Sequence, residues 1–164
     1  MNVRVGIVDS GVYAGNPLVG AIAGGVAIVG EDLSDQLGHG TAVAANIRQN
    51  APAADLYVVK IFDRSLACPL MTLLRGIEWC LEHHMHFVNL SLGTANAKHE
   101  PQLRALVDRA TALGVVIVAP AGSLPGDLEG VVRVIGTARA GSLEGSSFAV
   151  AAETGRLAAS FNLT

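Results

Sequence analysis

The sequence predicts an α/β fold of three layers, in which a mostly parallel central sheet has helices on both faces. Short runs of Val and Ile alternate with longer segments of helical period, as is typical of parallel strands joined by helical crossovers. With 164 residues, of which 51% are hydrophobic and only 15% charged, the chain is expected to form one domain, residues 1–164, with a large core. The runs that predict strands are residues 3–8, 56–62, 87–91, 115–119 and 131–136.

Helical period marks three segments between these strands, residues 39–50, 70–83 and 100–113. A last helix is expected to begin near Ser147, after Gly145. The Gly-rich stretch of residues 20–30 contains no G-x-G-x-x-G between a strand and a helix, so a dinucleotide site is rejected.

Composition excludes several classes of partner. The net charge of -3 leaves no basic footprint for nucleic acid. The uncharged residues 17–30 are too few and too rich in Gly to span a membrane. An acid as early as Asp9 argues against a signal peptide, which predicts a cytoplasmic location. Cys68 and Cys80 are then expected to be buried or partly buried thiols rather than a disulfide.

Four histidines, His83, His84, His86 and His99, invite a metal interpretation because two of them are three residues apart. No carboxylate completes a ligand set, and the first two lie at a predicted helix end, where cations suit the dipole. Neither a metal nor any other cofactor is therefore predicted.

Three short motifs supply an acid, a base and a nucleophile. Asp9 ends Val-Gly-Ile-Val-Asp, His39 lies in Gly-His-Gly-Thr, and Ser147 lies in Gly-Ser-Ser-Phe-Ala. A serine hydroxyl is a weak nucleophile until an imidazole accepts its proton and a carboxylate orients that imidazole. The motifs therefore predict acyl transfer through an activated serine.

The order acid, histidine, serine resembles that of the subtilisin-like serine proteases, the subtilases. The resemblance implies that Asp9 orients His39, that His39 is general base and then acid, and that Ser147 is the nucleophile. Ser146 is the rival nucleophile, although it occupies the place of a Thr in the family's motif.

Two further segments, residues 89–93 and 118–123, resemble the family's substrate-binding strand and oxyanion segment. The resemblance implies oxyanion donors at the Ser123 side chain and at the Ser147 backbone N–H, the latter because Ser147 is expected to open a helix. It also implies a set of substrate-binding residues that pair with an extended peptide or wall the pocket: Ser91, Leu92, Gly93, Ala119, Pro120, Ala121 and Gly122.

Apart from Ser146, the sequence departs from the family pattern at three positions. Ser123 stands where the family has an oxyanion Asn, and loss of such a donor costs about 10²–10³ in turnover. Pro120 and Ala151 replace a small residue and a Pro, respectively. The short loop that contains Leu124, Pro125 and Leu128 is expected to expose an apolar patch for self-association or a partner.

These observations predict a minimal intracellular subtilisin-like endopeptidase, with a dedicated precursor peptide as its substrate. The substrate would bind as an extended strand, and a homo-oligomer or a partner protein would complete the cleft. One alternative is a weakly active or inactive subtilase fold that binds a peptide or a partner. A second is an acyl transferase or esterase that uses the same three side chains.

Overall fold

The described part of the chain forms six strands and four α-helices, with an α-helix in three of the five connections between successive strands. The computed structural model describes residues 1–136 and 143–163. The strands are β1 (Arg4–Asp9), β2 (Gly24–Ala27), β3 (Asp55–Lys60), β4 (Phe87–Leu90), β5 (Val116–Pro120) and β6 (Val132–Val134). The helices are α1 (His39–Asn50), α2 (Leu70–Glu82), α3 (Glu100–Ala112) and α4 (Leu143–Ser160), with a 3₁₀ turn at Ala97–His99.

The strands form one sheet in the order β2-β3-β1-β4-β5-β6, and every neighbouring pair is parallel. Asp9, the last residue of β1, pairs in register with Lys60, the last residue of β3. The parallel α/β sheet predicted from the alternation of segments is confirmed.

The two faces of the sheet carry separate apolar cores. Helices α2 and α3 cover one face, on which Val8, Val59 and Leu90 are fully buried. Helices α1 and α4 cover the other face, over side chains such as Val5 and Ile7. Successive side chains of a strand point to opposite faces, so each central strand contributes to both cores.

Helices α1 and α4 pack closely because α4 has a glycine at the contact. A Cβ at Gly155 would lie 2.6 Å from the Cβ of Asn50 and 3.1 Å from the carbonyl oxygen of Ile47. The helix that carries Ser147 is therefore seated directly against the helix that begins at His39.

The sequence pattern does not predict strand β2. Its residues lie in the Gly-rich stretch, where local propensity for a strand is low. The strand forms because β3 pairs with it, and a side chain at Gly25 would collide with the backbone of Val58. Pairing with β3, and not local sequence preference, therefore determines strand β2.

The predicted apolar patch at Leu124, Pro125 and Leu128 is wrong. Leu128 is only 8% exposed and Pro125 is buried, and Leu124 is half-buried against the α2 and α3 core. The loop folds back over the sheet, and the backbone of Leu124 pairs with that of Thr94. An exposed apolar patch at this loop therefore no longer supports the prediction of a partner.

Cys80 is buried and Cys68 partly buried, both as free thiols, in agreement with the sequence. Burial raises the pKa of both thiols, which disfavours the reactive thiolate. Within residues 1–136 and 143–163, no helix has the length and apolar character needed to cross a bilayer.

Candidate active site

The predicted acid and the predicted substrate strand meet at a switch point of the sheet. Strand β1 lies between β3 and β4, and the helices that follow β2 and β3 cover opposite faces. Ligands of parallel sheets bind beyond the carboxyl ends of strands at such a point. Asp9 ends β1, and Ser91 directly follows β4.

At this point the structure brings Asp9, His39 and Ser147 together. The Nδ1 atom of His39 lies 2.8 and 3.0 Å from the two carboxylate oxygens of Asp9, and its Nε2 lies 3.0 Å from the Ser147 hydroxyl oxygen. Asp9 is 1% exposed and Ser147 4% exposed. The backbone N–H of Ser10 also donates to Asp9, over 2.7 Å.

This arrangement sets the tautomer of the imidazole. A buried carboxylate is an acceptor, so it favours the proton on Nδ1 and leaves the Nε2 lone pair directed at the Ser147 hydroxyl. The hydroxyl has a second acceptor, the carbonyl of Ser91 at 3.3 Å, which is the longer contact. The geometry is that of an imidazole ready to accept a serine proton.

A buried polar network, which sequence reasoning missed, fixes the backbone around Ser147. Asn89 donates from its amide to the Ser91 hydroxyl over 2.9 Å, and that hydroxyl donates to the Ser147 carbonyl over 3.4 Å. Thr154 on α4 donates to the amide oxygen of Asn89 over 2.8 Å. Asn89 and Thr154 are completely buried, and the amide inside the apolar run Phe-Val-Asn-Leu was the available signal.

The predicted substrate strand lies at the rim of the site. Ser91 and Leu92 are half-buried, and Gly93 is exposed. The Ser123 hydroxyl packs directly on Gly93, so that a Cβ at this glycine would collide with it. Ser123 thus lies next to the segment that the sequence assigns to the substrate.

The second predicted substrate-binding segment, residues 119–122, is only partly accessible to solvent. Ala119 is completely buried in the core, whereas Pro120 and Ala121 are half-buried and Gly122 is exposed. Gly122 has φ of 85°, a left-handed conformation that favours glycine, and its N–H donates to the Asp127 carboxylate over 2.8 Å.

Helix α4 begins at Leu143, so the expectation that Ser147 opens the helix is wrong by four residues. Gly145 indicates a boundary in the sequence, but an interior glycine costs a helix only about 1 kcal/mol. The N–H groups without a helical acceptor are those of the first four residues, so the Ser147 N–H is not one of them. Ser146, the rival nucleophile, packs against Gly136.

A cavity of about 260 Å³ opens beside the predicted substrate strand, and its lining is partly apolar and partly polar, with Thr94 and His99 among its residues. Leu92 and Gly93 line it on one side. Among the side chains on the other sides are Phe62, Leu66, Cys68 and Leu73.

Two of the histidines considered for a metal have other contacts. His83 stacks on Trp79 with ring centroids 4.0 Å apart, and His86 accepts the backbone N–H of Arg4 over 2.9 Å. Nowhere in the described parts of the chain do three His, Cys, Asp or Glu side chains gather as a metal ion would need.

Close backbone packing between α1 and the end of β1 sets the position of His39. A Cβ at Gly40 would run into the carbonyl oxygen of Gly11 and lie 3.2 Å from the N atom of Ser10. We expect Gly40→Ala to lower the free energy of unfolding by about 3 kcal/mol, since neither backbone segment can yield easily. Urea denaturation measures this loss.

The control for this substitution is Gly114→Ala. Gly114 has φ of 73°, but a Cβ there would meet no atom within 4 Å beyond its chain neighbours, so only about 1 kcal/mol of backbone strain is expected. Equal losses in the two variants would show that the contact with Gly11 is unimportant.

Comparison with known proteins decides the family. The sequence profile of the Subtilase family matches residues 1–154. The chain is a subtilase. A thermostable alkaline protease of Halalkalibacterium halodurans is 36% identical over 131 residues, which cover 73% of this chain and 35% of that protein. Subtilisin E of Bacillus subtilis is 32% identical over 134 residues, or 74% of this chain and 34% of its own.

Solved structures give the same fold for this subtilase. The crystal structure of a lanthipeptide protease superposes with a TM-score of 0.74 at 21% identity, covering 82% of this chain and 48% of that chain. The nisin leader peptidase NisP of Lactococcus lactis gives 0.63 at 21% identity, over 73% and 43% of the two chains. The chain spans about a fifth to a half of the length of the curated relatives it matches.

Proposed function

We propose that this subtilase is a serine endopeptidase in which Ser147 is the nucleophile, His39 the general base and acid, and Asp9 the orienting carboxylate. The observation that carries the proposal is the continuous contact of carboxylate, imidazole and hydroxyl at distances of 2.8 to 3.0 Å. Membership of a serine protease family supports the same roles.

The reaction proceeds in two halves. His39 Nε2 accepts the hydroxyl proton as Ser147 Oγ bonds to the scissile carbonyl carbon, and the imidazolium then protonates the leaving amine as the C–N bond breaks. In the second half, water attacks the acyl carbon while Nε2 accepts its proton. That proton returns to Ser147 Oγ as the acid product leaves. Asp9 stabilises the imidazolium in both halves.

The oxyanion donors in this proposal are the Ser123 hydroxyl and the Ser147 backbone N–H. The position of Ser123 against Gly93, at the substrate rim, supports its part. The Ser147 N–H can donate only if the first turn of α4 opens. Gly145 makes that turn easier to open, because glycine gains more backbone freedom than other residues when a helix unwinds.

The predicted substrate is an extended peptide that pairs with residues 91–93 by strand addition. The apolar side chains on the walls of the adjoining 260 Å³ cavity, Phe62, Leu66 and Leu73 among them, favour an aliphatic or aromatic substrate side chain there. We propose a dedicated precursor peptide as the substrate, because the two solved relatives are described as a lanthipeptide protease and a nisin leader peptidase. A cytoplasmic location and a partner that completes the cleft stay predictions.

Incubation with a diverse peptide library, followed by mass spectrometry, tests the proposed activity. We expect internal cleavage with an apolar preference at one position on the amino-terminal side of the cut. A fluorophosphonate probe tests the serine independently of any peptide. Labelling without cleavage would favour the esterase or acyl transferase alternative, and neither labelling nor cleavage would favour the peptide-binding one.

The role of Ser123 has its own test. We expect Ser123→Asn to raise kcat about 10-fold, because an amide reaches farther than a hydroxyl. We expect Ser123→Ala to lower kcat about 10-fold. Neither change exceeds the effect on kcat of removing one oxyanion donor. Steady-state kinetics on one cleaved peptide measures both changes.

Ser160→Asn is the control for the added amide. Ser160 is exposed at the other end of α4, where its hydroxyl donates to the Arg156 carbonyl. Unchanged kcat in both Ser123 variants would remove this side chain from oxyanion stabilisation.

A further inference from the structure

One carboxylate outside the proposed catalytic residues joins the segments that carry Asp9 and His39. Asp35 accepts five hydrogen bonds. The Ser10 hydroxyl donates over 2.8 Å, and the backbone N–H groups of Leu37 and Gly38 donate over 3.0 and 2.9 Å. Thr41 donates twice, from its backbone N–H over 2.9 Å and from its hydroxyl over 2.6 Å. Five donors saturate a carboxylate, whose two oxygens have about four lone-pair positions. Asp35 is thus bonded on both sides, to the end of β1 and to the start of α1.

Ser10 connects this carboxylate to the acid. Its backbone N–H donates to Asp9 over 2.7 Å, and its hydroxyl accepts the backbone N–H of Gly40 over 2.9 Å while it donates to Asp35. The end of β1 and the first turn of α1 are therefore tied to each other through two adjoining side chains.

The start of α1 depends on these outside partners. Its N-cap residue, Gly38, has φ of 79° and no side chain to cap the helix. The N–H groups of Gly40 and Thr41, which lack helical acceptors, are satisfied by Ser10 and Asp35. The orientation of His39, the first residue of α1, is thus fixed by contacts made outside the helix.

Asp35 is itself held in place. Lys60, whose side chain is 2% exposed, donates to the carbonyl of Ser34 over 2.7 Å, and the N–H of Val12 donates to the carbonyl of Leu33 over 2.8 Å. Burial acts to raise the pKa of Asp35, but the hydrogen bonds from Thr41 and its other donors outweigh it, and the pKa lies below the usual value. The carboxylate is ionised at neutral pH, which suits a helix N-terminus.

We propose that Asp35 is a positioning residue, which holds the imidazole of His39 at bonding distance from Asp9 and Ser147 by linking Ser10 to Thr41. Its effect on rate rests on the proposed function, whereas its effect on geometry does not. Misplacing a catalytic group by about 1 Å costs roughly 10²-fold in rate.

Asp35→Asn tests the proposal because it changes the hydrogen-bonding groups of the side chain while hardly changing its shape. The amide turns one acceptor into a donor, so an N–H group now faces Thr41 or Gly38. We expect kcat to fall about 10²-fold while KM stays within about twofold, because the substrate strand is untouched. Asp32→Asn is the matched control, since Asp32 is an exposed acid of the same loop that bonds only to Ser34 among the hydrogen bonds described. It should retain the original kcat.

Proton NMR tests the position of the His39 imidazole without requiring catalytic turnover. The Nδ1 proton shared by His39 and Asp9 should give a far-downfield resonance in the unaltered protein and in Asp32→Asn. We expect this resonance to be lost or broadened in Asp35→Asn, with far-ultraviolet circular dichroism unchanged. A normal resonance together with a normal kcat in Asp35→Asn would overturn the positioning role.

A second variant covers the case in which Asp35→Asn does not fold. Ser10→Ala removes the same link from its other end, and we expect the downfield resonance to weaken and kcat to fall about 10-fold. An unaltered resonance and kcat in Ser10→Ala would also overturn the proposal. If the unaltered protein shows the resonance but neither cleaves peptides nor binds the fluorophosphonate, the proposed function fails and the positioning role stands.

Discussion

Ser147→Ala is expected to reduce kcat for peptide hydrolysis by roughly 10⁵-fold or more, the scale of loss when a subtilisin-type enzyme loses its nucleophile. The remaining methyl group cannot form an acyl-enzyme, so fluorophosphonate labelling should vanish as well. Stability should change little, since the substitution removes contacts worth about 1 kcal/mol. Single-turnover kinetics with excess enzyme measures the residual rate.

The neighbouring serine provides the control for this loss. Ser146→Ala removes a hydroxyl from the same turn of α4 and should leave both labelling and cleavage in place. The opposite pattern, with activity lost in Ser146→Ala and kept in Ser147→Ala, would exchange the two assignments. Loss in both variants together with a lowered melting temperature would point to damage to α4 instead.

Asp9→Asn is expected to lower kcat by about 10⁴-fold without altering the fold. The Asn amide can donate to Nδ1 of His39, which forces the imidazole proton onto Nε2. Nε2 then has no lone pair for the Ser147 hydroxyl. KM should change little, because a side chain that is only 1% exposed offers almost no surface to a substrate.

Asp55→Asn is a suitable control for the loss of one negative charge. Asp55 begins β3 at the opposite end of the sheet, where it accepts from the Asn2 side chain over 3.1 Å. It should retain full activity. If Asp9→Asn retained more than about a tenth of the original kcat, the orienting role of Asp9 would be wrong.

The features that the sequence predicted well are those that short segments encode. Strands β1, β3, β4 and β5 were predicted to within two residues of their bounds, because each contains a short, largely buried apolar run. The positions of Asp9 and His39 followed from the same logic, since each lies at the junction of a strand or turn with the next element.

The features that the sequence did not predict depend on residues that are distant from one another along the chain. Asp35 lies among polar loop residues and would be solvated in isolation, so only the folded arrangement reveals its five donors. Asn89 and Thr154 are 65 positions apart and become a pair only when α4 packs on β4. The start of α4 was also missed, because Gly145 disfavours a helix locally without preventing one.

The seating of α4 against α1 also sets the point at which the three proposed catalytic residues come together. His39 and Ser147 are 108 positions apart, whereas Asp9 and His39 are separated by only 30. A chain emerging from the ribosome therefore contains the proposed acid and base well before the proposed nucleophile, which takes its place only when α4 has been made and has docked. At roughly 5–20 residues per second, that interval lasts several seconds or more. For the proposed endopeptidase, the order of synthesis would delay cleavage until the chain has been made as far as α4.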